Sequence, residues 1–398
     1  MNIICHAFPA WEGNYVKSTV QLMTELARDN RVLYVDYAYT WKDFLQSLRQ
    51  RGFASWRRMI GLEPRLRRVE LGNGAALNVL TLPPILPTNF LKTPRLYDAL
   101  NRLNARFFIL PVIRKAMRTL GMTDAPVVVN AFNPSYGVHL AGRLGEARLV
   151  YYCYDEIGAA SWAKNHGARL EKQFAALADA VIFTSSGLLA KKKALNKASY
   201  LVKNGVDFTQ FCQPTPPSVQ HPIFDELSKK TTPIIGYLGS IDERLDYDLL
   251  EKLIRDTPQY HYVFVGRVTT DAIQKRLLAL PNVFLIGPQP PSVLPSWVHQ
   301  FDVCLIPFLQ NDFTAGIYPL KANEYLAAGK AVIATPFADL SDFDAVIQMA
   351  NNAADFQRII AENLAENGQY APQRRQFAAQ NAWTARAEDM ASILRGVN

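Results

Sequence analysis

The sequence predicts two α/β domains in tandem, each built on a doubly wound parallel sheet. Three observations predict this. Short, almost wholly apolar runs such as "APVVVNAF" (125–132), "ARLVYYCYD" (147–155) and "DVCLIPF" (302–308) recur between segments of helical period. That alternation marks strands covered by helices on both faces. The chain's 398 residues suffice for two cores of ordinary size. Finally, "FCQPTPPSVQHPIFDELSKKTTP" (211–233) is rich in Pro, Ser and Thr, carries no period, and divides two such series. The expected organisation is a first domain over 1–210, a linker over 211–232 and a second domain over 233–372. Ligands of such sheets bind beyond the carboxyl ends of the strands, so two units facing each other place a cleft between them.

In the first series "MNIICHAF" and "RVLYVDYA" read as strands around the helical "GNYVKSTVQLMTELARD". The strands at 125–132 and 147–155 follow, then the amphipathic "HGARLEKQFAALAD" (166–179), the strand "AVIFTSS" (180–186) and "SYLVKNGVD" (199–207). In the second series "IIGYLGS" (234–240), "YHYVFVGR" (260–267), "NVFLIGP" (282–288) and "DVCLIPF" read as strands, with helices between them. "YPLKANEYLAAGKAVIAT" (318–335) adds a helix over 321–328, stopped by Gly329, and a buried strand. "QRRQFAAQNAWTARAEDMASILRGV" (373–397) reads as one long amphipathic helix or a broken pair.

No apolar run reaches the roughly 18–20 residues that a membrane-spanning helix needs, and the first residues read as strand and loop rather than a signal peptide. Cys5, Cys153, Cys212 and Cys304 are too widely spaced for a zinc knuckle or a disulfide framework. They read as small buried hydrophobes of a cytoplasmic protein. The formal net charge is +8, concentrated in "SLRQRGFASWRRMIGLEPRLRRVE" (47–70). There Arg49, Arg51, Arg57, Arg58, Arg65, Arg67 and Arg68 interleave with Phe53, Trp56 and Ile60. Three readings of this stretch stand: a solvated basic helix, a surface for anionic lipid, or a nucleic-acid face. The last lacks any accompanying recognition motif, so no nucleic acid is expected.

The candidate chemistry lies in the second series. In "GYLGSIDERLD" (236–246), Gly236 and Gly239 sit at a strand end and Arg244 follows. Backbone N–H groups and a guanidinium in that order can cradle a diphosphate, the alternative being a tight turn with a surface arginine. The loop is neither G-x-G-x-x-G nor a P-loop, which disfavours dinucleotide or ATP sites of those kinds. Arg267 and Gly287, just past later strands, rim the same space. Glu324 lies near a helix start, where a carboxylate is tolerated and can accept from two adjacent ribose hydroxyls. Lys321, one turn earlier, is placed to meet a phosphate. The preceding loop, with Asp312 and Gly316, offers amides and a carboxylate for sugar hydroxyls. The bland reading of Glu324 and Lys321 is a capping glutamate and a surface lysine.

Taken together, "NGVD" (204–207), Phe211, "GYLGSIDERLD", "DVCLIPF" and "PLKANEYLAAGKAVIATP" resemble retaining GT-B glycosyltransferases of the glycosyltransferase 4 family. The resemblance is strongest from 200 to 340. It implies a donor-binding C-terminal domain, with Glu324 on the donor ribose and Arg244 and Lys321 on the diphosphate. It implies an acceptor-binding N-terminal domain involving Gly13, Tyr154 and Asp155, onto which the terminal helix (373–398) packs back. Two departures stand out. Gly316 occupies the place of the family's other glutamate, eight positions before Glu324. Tyr154 stands where the usual histidine precedes the aspartate, and His139 is a weaker cleft candidate.

The expected reaction is sugar transfer from a nucleotide-diphosphate sugar, with retention, to a lipid-linked or glycan acceptor hydroxyl in bacterial surface polysaccharide synthesis. Arg244, Lys321 and Asp155 are the expected catalytic groups. No metal site and no cofactor are expected, since cations and helix amides can hold a leaving diphosphate and the histidines form no ligand cluster. An anionic membrane surface is an expected partner through residues 49–68. The alternatives are a catalytically inactive nucleotide-sugar-binding relative and a GT-B nucleotide-sugar epimerase.

Overall fold

In the computed structural model the chain divides into two compact units, one of Met1–Lys203 with Arg386–Asn398 and one of Asn204–Ala385. The structure describes residues 1–13, 17–49, 55–160, 163–213, 221–227, 229 and 231–397.

The first unit carries β1 (Asn2–Ala7), β2 (Arg31–Val35), β3 (Leu66–Glu70), β4 (Ala76–Leu80), β5 (Val127–Ala131), β6 (Arg148–Cys153), β7 (Ala180–Phe183) and β8 (Ser199–Leu201). They form one sheet in the order β3-β4-β2-β1-β5-β6-β7-β8. Only the β3–β4 pair is antiparallel. From β1 the chain builds outward first through β2 and β4, then through β5. The order therefore reverses between β1 and β5, which opens a crevice at their carboxyl ends. All five residues of β5 are buried, as a central strand covered on both faces requires.

The second unit carries β9 (Ile234–Leu238), β10 (His261–Val265), β11 (Val283–Gly287), β12 (Val303–Ile306), β13 (Ala331–Ala334) and β14 (Gln348–Met349). The order is β11-β10-β9-β12-β13-β14, parallel throughout. Here the reversal lies between β9 and β12.

Three sequence expectations change. The basic stretch 47–70 is not one helix. It contains the end of helix Trp41–Arg49, the whole of helix Trp56–Ile60 and then the edge strand β3, while Arg51 and Phe53 lie outside the described residues. The helical reading missed β3 because an edge strand exposed on one side keeps its polar residues. The stretch 211–232 is not simply a linker, since Phe211, Phe224 and Leu227 are buried in the second unit's core; residues 214–220, 228 and 230 lie outside the described residues. The terminal segment is two helices, Ala371–Gln380 and Trp383–Arg395. The first stays in the second unit, where Ala371 and Arg375 close on Gly329. The chain joins the first unit only from Arg386. The break has a cause: Val206 bridges Ala382 and donates its N–H to Asn381 O at 3.0 Å, which draws the chain out of helical geometry.

Gly236 also changes role. It lies inside β9, and a Cβ there would stand 2.0 Å from Cγ of the fully buried Phe301. Its bareness admits a ring, not a ligand. Gly236→Ala is expected to lower stability by about 1–3 kcal/mol through overpacking, read as a lower urea midpoint. An unchanged midpoint would contradict this packing.

Candidate functional site

In the second unit the loops beyond β9, β10 and β11 stack backbone on backbone. Gly239 N donates to Val265 O (2.9 Å) and Gly266 N to Gly287 O (3.0 Å). Gly266 has φ +153°, and a Cβ on it would lie 1.9 Å from Gly239 O. Only glycine permits that approach. Gly239 itself has φ +137°. The same loop is tied to the end of β12, with Leu309 N donating to Arg244 O (2.8 Å) and Asp246 N to Pro307 O (2.9 Å). Backbone, Arg244 and the side chains after β12 are thereby gathered at the switch point.

The helix Leu320–Ala327 starts beside this crevice. Ala322, Ala327 and Ala328 are buried, so small residues let the helix lie close to the sheet. Tyr325 Oη accepts from Leu238 N at 2.7 Å, pinning the helix to the end of β9. Lys321 projects from its first turn. Its Nζ lies 4.5 Å from the Phe308 ring centroid and 5.1 Å from that of Tyr237. Its Cε would be 3.1 Å from a Cβ on Gly239. Arg244 Cζ lies over the same Phe308 ring at 5.5 Å. Asp242 grips Arg244 at both ends, Nε to Oδ1 at 2.8 Å and Nη2 to Oδ2 at 2.6 Å. Lys321 has no hydrogen bond or carboxylate contact of its own among the described residues.

Burial pushes the Lys321 amine down to about 7, and the Arg244 charge adds to the effect. Burial pushes the Glu324 carboxyl up to about 7 against the pull of Lys321. Glu324 follows Lys321 by one turn and is half-buried, and its carboxylate accepts no hydrogen bond among the described residues. Two cations over one ring beside bare glycine backbone can hold an anion, and the Glu324 carboxylate one turn on can accept from vicinal donors. Sequence reasoning found Gly239, Arg244, Lys321 and Glu324, and the structure brings these four together. It also placed the glycine of "VGR" (265–267), Gly266, at the rim, and missed Asp242, Tyr237 and Phe308. An aromatic closing a predicted strand, as in "DVCLIPF", was the available signal for Phe308.

The remaining candidates are more peripheral. Arg267 is exposed, although its carbonyl accepts from Ile241 N at 2.9 Å. Gly287 has φ +78° and open space where a side chain would lie. Asp312 is exposed; Gly316 ends the short turn Thr314–Gly316. That loop is pinned rather than loose, because the buried Thr314 hydroxyl donates to Asn311 O at 3.1 Å.

In the first unit the switch point has other chemistry. His6, at the end of β1, is buried between the amides of Asn130 (3.3 Å from Nδ1) and Asn133 (3.5 Å from Nε2). Burial lowers it to about 4, so it is neutral at physiological pH. Phe132, next after β5, holds φ +57°, a strained conformation for a bulky residue. Beside them opens a cavity of about 480 Å³ lined by Phe8, Tyr37, Tyr97, Asn133 and Tyr136 among others. Gly13, Tyr154 and Asp155 do not line it. Gly13 (φ +145°) instead gives room to Lys17, whose ammonium donates to Glu12 O at 2.5 Å. The Tyr154 ring packs on Phe132 at 4.5 Å. Asp155 is exposed and its Oδ1 accepts from Glu156 N at 2.8 Å, a local turn contact. His139 is half-buried with Nε2 enclosed and unpartnered.

Residues 232–366 match the family model of the group 1 glycosyl transferases. Over 192 residues the chain is 28% identical to a putative teichuronic acid biosynthesis glycosyltransferase, TuaH, of Bacillus subtilis; the match covers 46% of this chain and 47% of that relative's length. The fold is similar to that of a sucrose-phosphate synthase of Thermosynechococcus elongatus (TM-score 0.68, 18% identity, 99% of this chain and 98% of that one). It is also similar to Anabaena HepE solved with UDP and glucose (0.65, 13%, all of both chains). A third similar structure is an E. coli trehalose-6-phosphate protein bound with UDP-2-fluoro glucose (0.66, 13%, all of both chains). The match to the group 1 glycosyltransferase model thus falls in the second unit, and the two Rossmann-like units together have the GT-B glycosyltransferase fold.

Proposed function

We propose that this chain transfers a sugar, with retention, from a nucleotide-diphosphate sugar to an acceptor hydroxyl in bacterial polysaccharide or glycan synthesis, as a member of the glycosyltransferase 4 family. One observation carries the reading: Lys321 and Arg244 share the Phe308 ring at the Gly239 backbone, with Glu324 unpaired one turn away. The cations and loop amides meet the diphosphate and hold its charge as it leaves. Glu324 accepts from the two ribose hydroxyls. Arg267, Gly287, Asp312 and Gly316 border the sugar and base. With Gly316 lacking a carboxylate, the donor phosphate oxygen on the attacked face takes the acceptor proton, and the step needs no metal or organic cofactor. The acceptor is a lipid-linked sugar or growing glycan held by the first unit. Similar structures solved with UDP, or with a UDP sugar derivative, support a nucleotide-sugar donor. A second reading, a donor-binding relative without transfer, is motivated by Gly316 and Tyr154.

Calorimetric titration with nucleoside diphosphates and their sugars tests the site. One nucleotide is expected to bind, and Glu324→Ala to weaken it about 10- to 100-fold, the worth of hydrogen bonds to a charged acceptor. Equal binding by Glu324→Ala removes the ribose assignment; binding without any transfer to a panel of glycan and lipid-linked acceptors supports the second reading.

The lowered Lys321 fixes a pH dependence. A bound diphosphate stabilises the ammonium, so above the range near 7 where Glu324 also titrates binding takes up protons and affinity falls as pH rises, roughly from 8 to 9. Titration in buffers of different ionisation enthalpy reads this uptake, which Lys321→Met abolishes.

The same group costs stability when the site is empty. Its folded value lies below the unfolded one near 10.4, so the penalty is complete below about pH 7 and lifts as pH rises toward 10. Lys321→Met is expected to raise the melting temperature of the ligand-free protein at pH 6 while weakening nucleotide binding more than about tenfold. A lower melting temperature would show that the ammonium is stabilising.

A further inference from the structure

Helix Trp41–Arg49 is amphipathic in the wrong sense for a soluble surface. Trp41, Leu45 and Leu48 recur at i, i+4 and i+7 and are 43%, 57% and 50% exposed. The only residue the helix buries fully is Ser47. A helix that turns its apolar stripe outward has an unpartnered face. Its first turn also forms part of the aromatic cavity, through Thr40, Lys42 and Asp43. Another segment brings an exposed apolar residue to that cavity: Phe90, 70% exposed, lines it.

Basic side chains outnumber acidic ones beside this rim, although Asp43 lines the cavity. Lys42, Arg49, Lys92 and Arg95 are exposed, and none makes an ion pair among the described residues. The nearby acids are engaged: Asp43 Oδ2 accepts from Thr40 N at 2.8 Å, and Asp98 pairs with Arg169 at 2.7 Å. The arginines that looked most suited to lipid in the sequence differ. Arg58 and Arg67 hold Glu12 (3.0 and 2.8 Å), Arg57 holds Glu63 (3.0 Å) and Arg68 holds Glu70 (2.8 Å).

We infer that the outer stripe of helix Trp41–Arg49 and the cavity rim at Phe90 dock on an anionic lipid surface. The stripe and a Trp enter the interface while Lys42, Arg49, Lys92 and Arg95 meet lipid phosphates. Unpaired cations among apolar side chains distinguish this face from a patch awaiting a protein, whose cores are poor in charge. The cavity then receives its guest as the polar head of a membrane-anchored amphiphile. Only the naming of that guest as the sugar acceptor rests on the proposed transfer.

The test is flotation of the full chain with vesicles of phosphatidylcholine containing phosphatidylglycerol, and with phosphatidylcholine alone. The anionic vesicles are expected to carry the protein, and the neutral ones to carry much less. Leu45→Glu with Leu48→Glu is expected to cut the bound fraction about tenfold, and Lys42→Glu with Arg95→Glu to cut it and flatten its salt dependence. Both pairs are exposed, and an unchanged circular dichroism spectrum and melting profile of each variant confirm an intact fold. No flotation of the unaltered chain, or equal flotation of the Leu45/Leu48 variant, overturns the docking face. Nucleotide binding in the same preparations separates that failure from failure of the transfer reading.

Discussion

The second unit is organised around a lysine ammonium that the protein does not neutralise. Lys321 rests on the faces of Phe308 and Tyr237 with the Arg244 guanidinium over the same Phe308 ring. Ring quadrupoles offset part of the cost of taking an ammonium out of water, but less than a carboxylate contact would, and the amine falls to about 7 as a result. Everything nearby holds that arrangement in place. Tyr325 fixes the helix to β9, Asp242 fixes the Arg244 fork, and the Gly239–Gly266 contact brings two loops within backbone distance.

The other buried lysines show what a structural lysine looks like here. Lys192 places its ammonium 2.8 and 3.0 Å from the two oxygens of Glu171 and 3.0 Å from Glu156. Tyr151 also donates to Glu171 at 3.0 Å, so the group is saturated, and its carboxylate neighbours raise the Lys192 amine despite burial. Such a network rigidifies the segment after β6 and leaves no site for a ligand. Lys17 is likewise spent on main-chain oxygens. That saturation separates both from Lys321, whose ammonium has no hydrogen bond or carboxylate contact among the described residues.

The two units use one topology for different chemistry. Each sheet reverses its order beside its first strand, and each places its polar groups at that reversal. In the second unit these are cations and bare glycines. In the first they are a neutral imidazole, two amides and tyrosines around a cavity, with strain stored at Phe132. The former suits a diphosphate and the latter an uncharged polar head with rings to stack on.

Most strands and the helix carrying Lys321 and Glu324 were readable in sequence, because apolar runs and helical periods are local signals. The i, i+3 spacing alone puts those two side chains on one helix face. Gly239 and Arg244 were readable for the same reason, lying together in one short loop. What the sequence could not supply were contacts made across the fold. Phe308 meets Lys321 and Arg244 only because β12 lies beside β9, and Gly266 must be bare only because Gly239 O occupies the space of its side chain. Strand β3, the division of the terminal helices between the units, and the outward stripe of Trp41, Leu45 and Leu48 were likewise tertiary outcomes. Periodicity gives a helix an apolar face, but the packing of the whole unit decides which way that face turns.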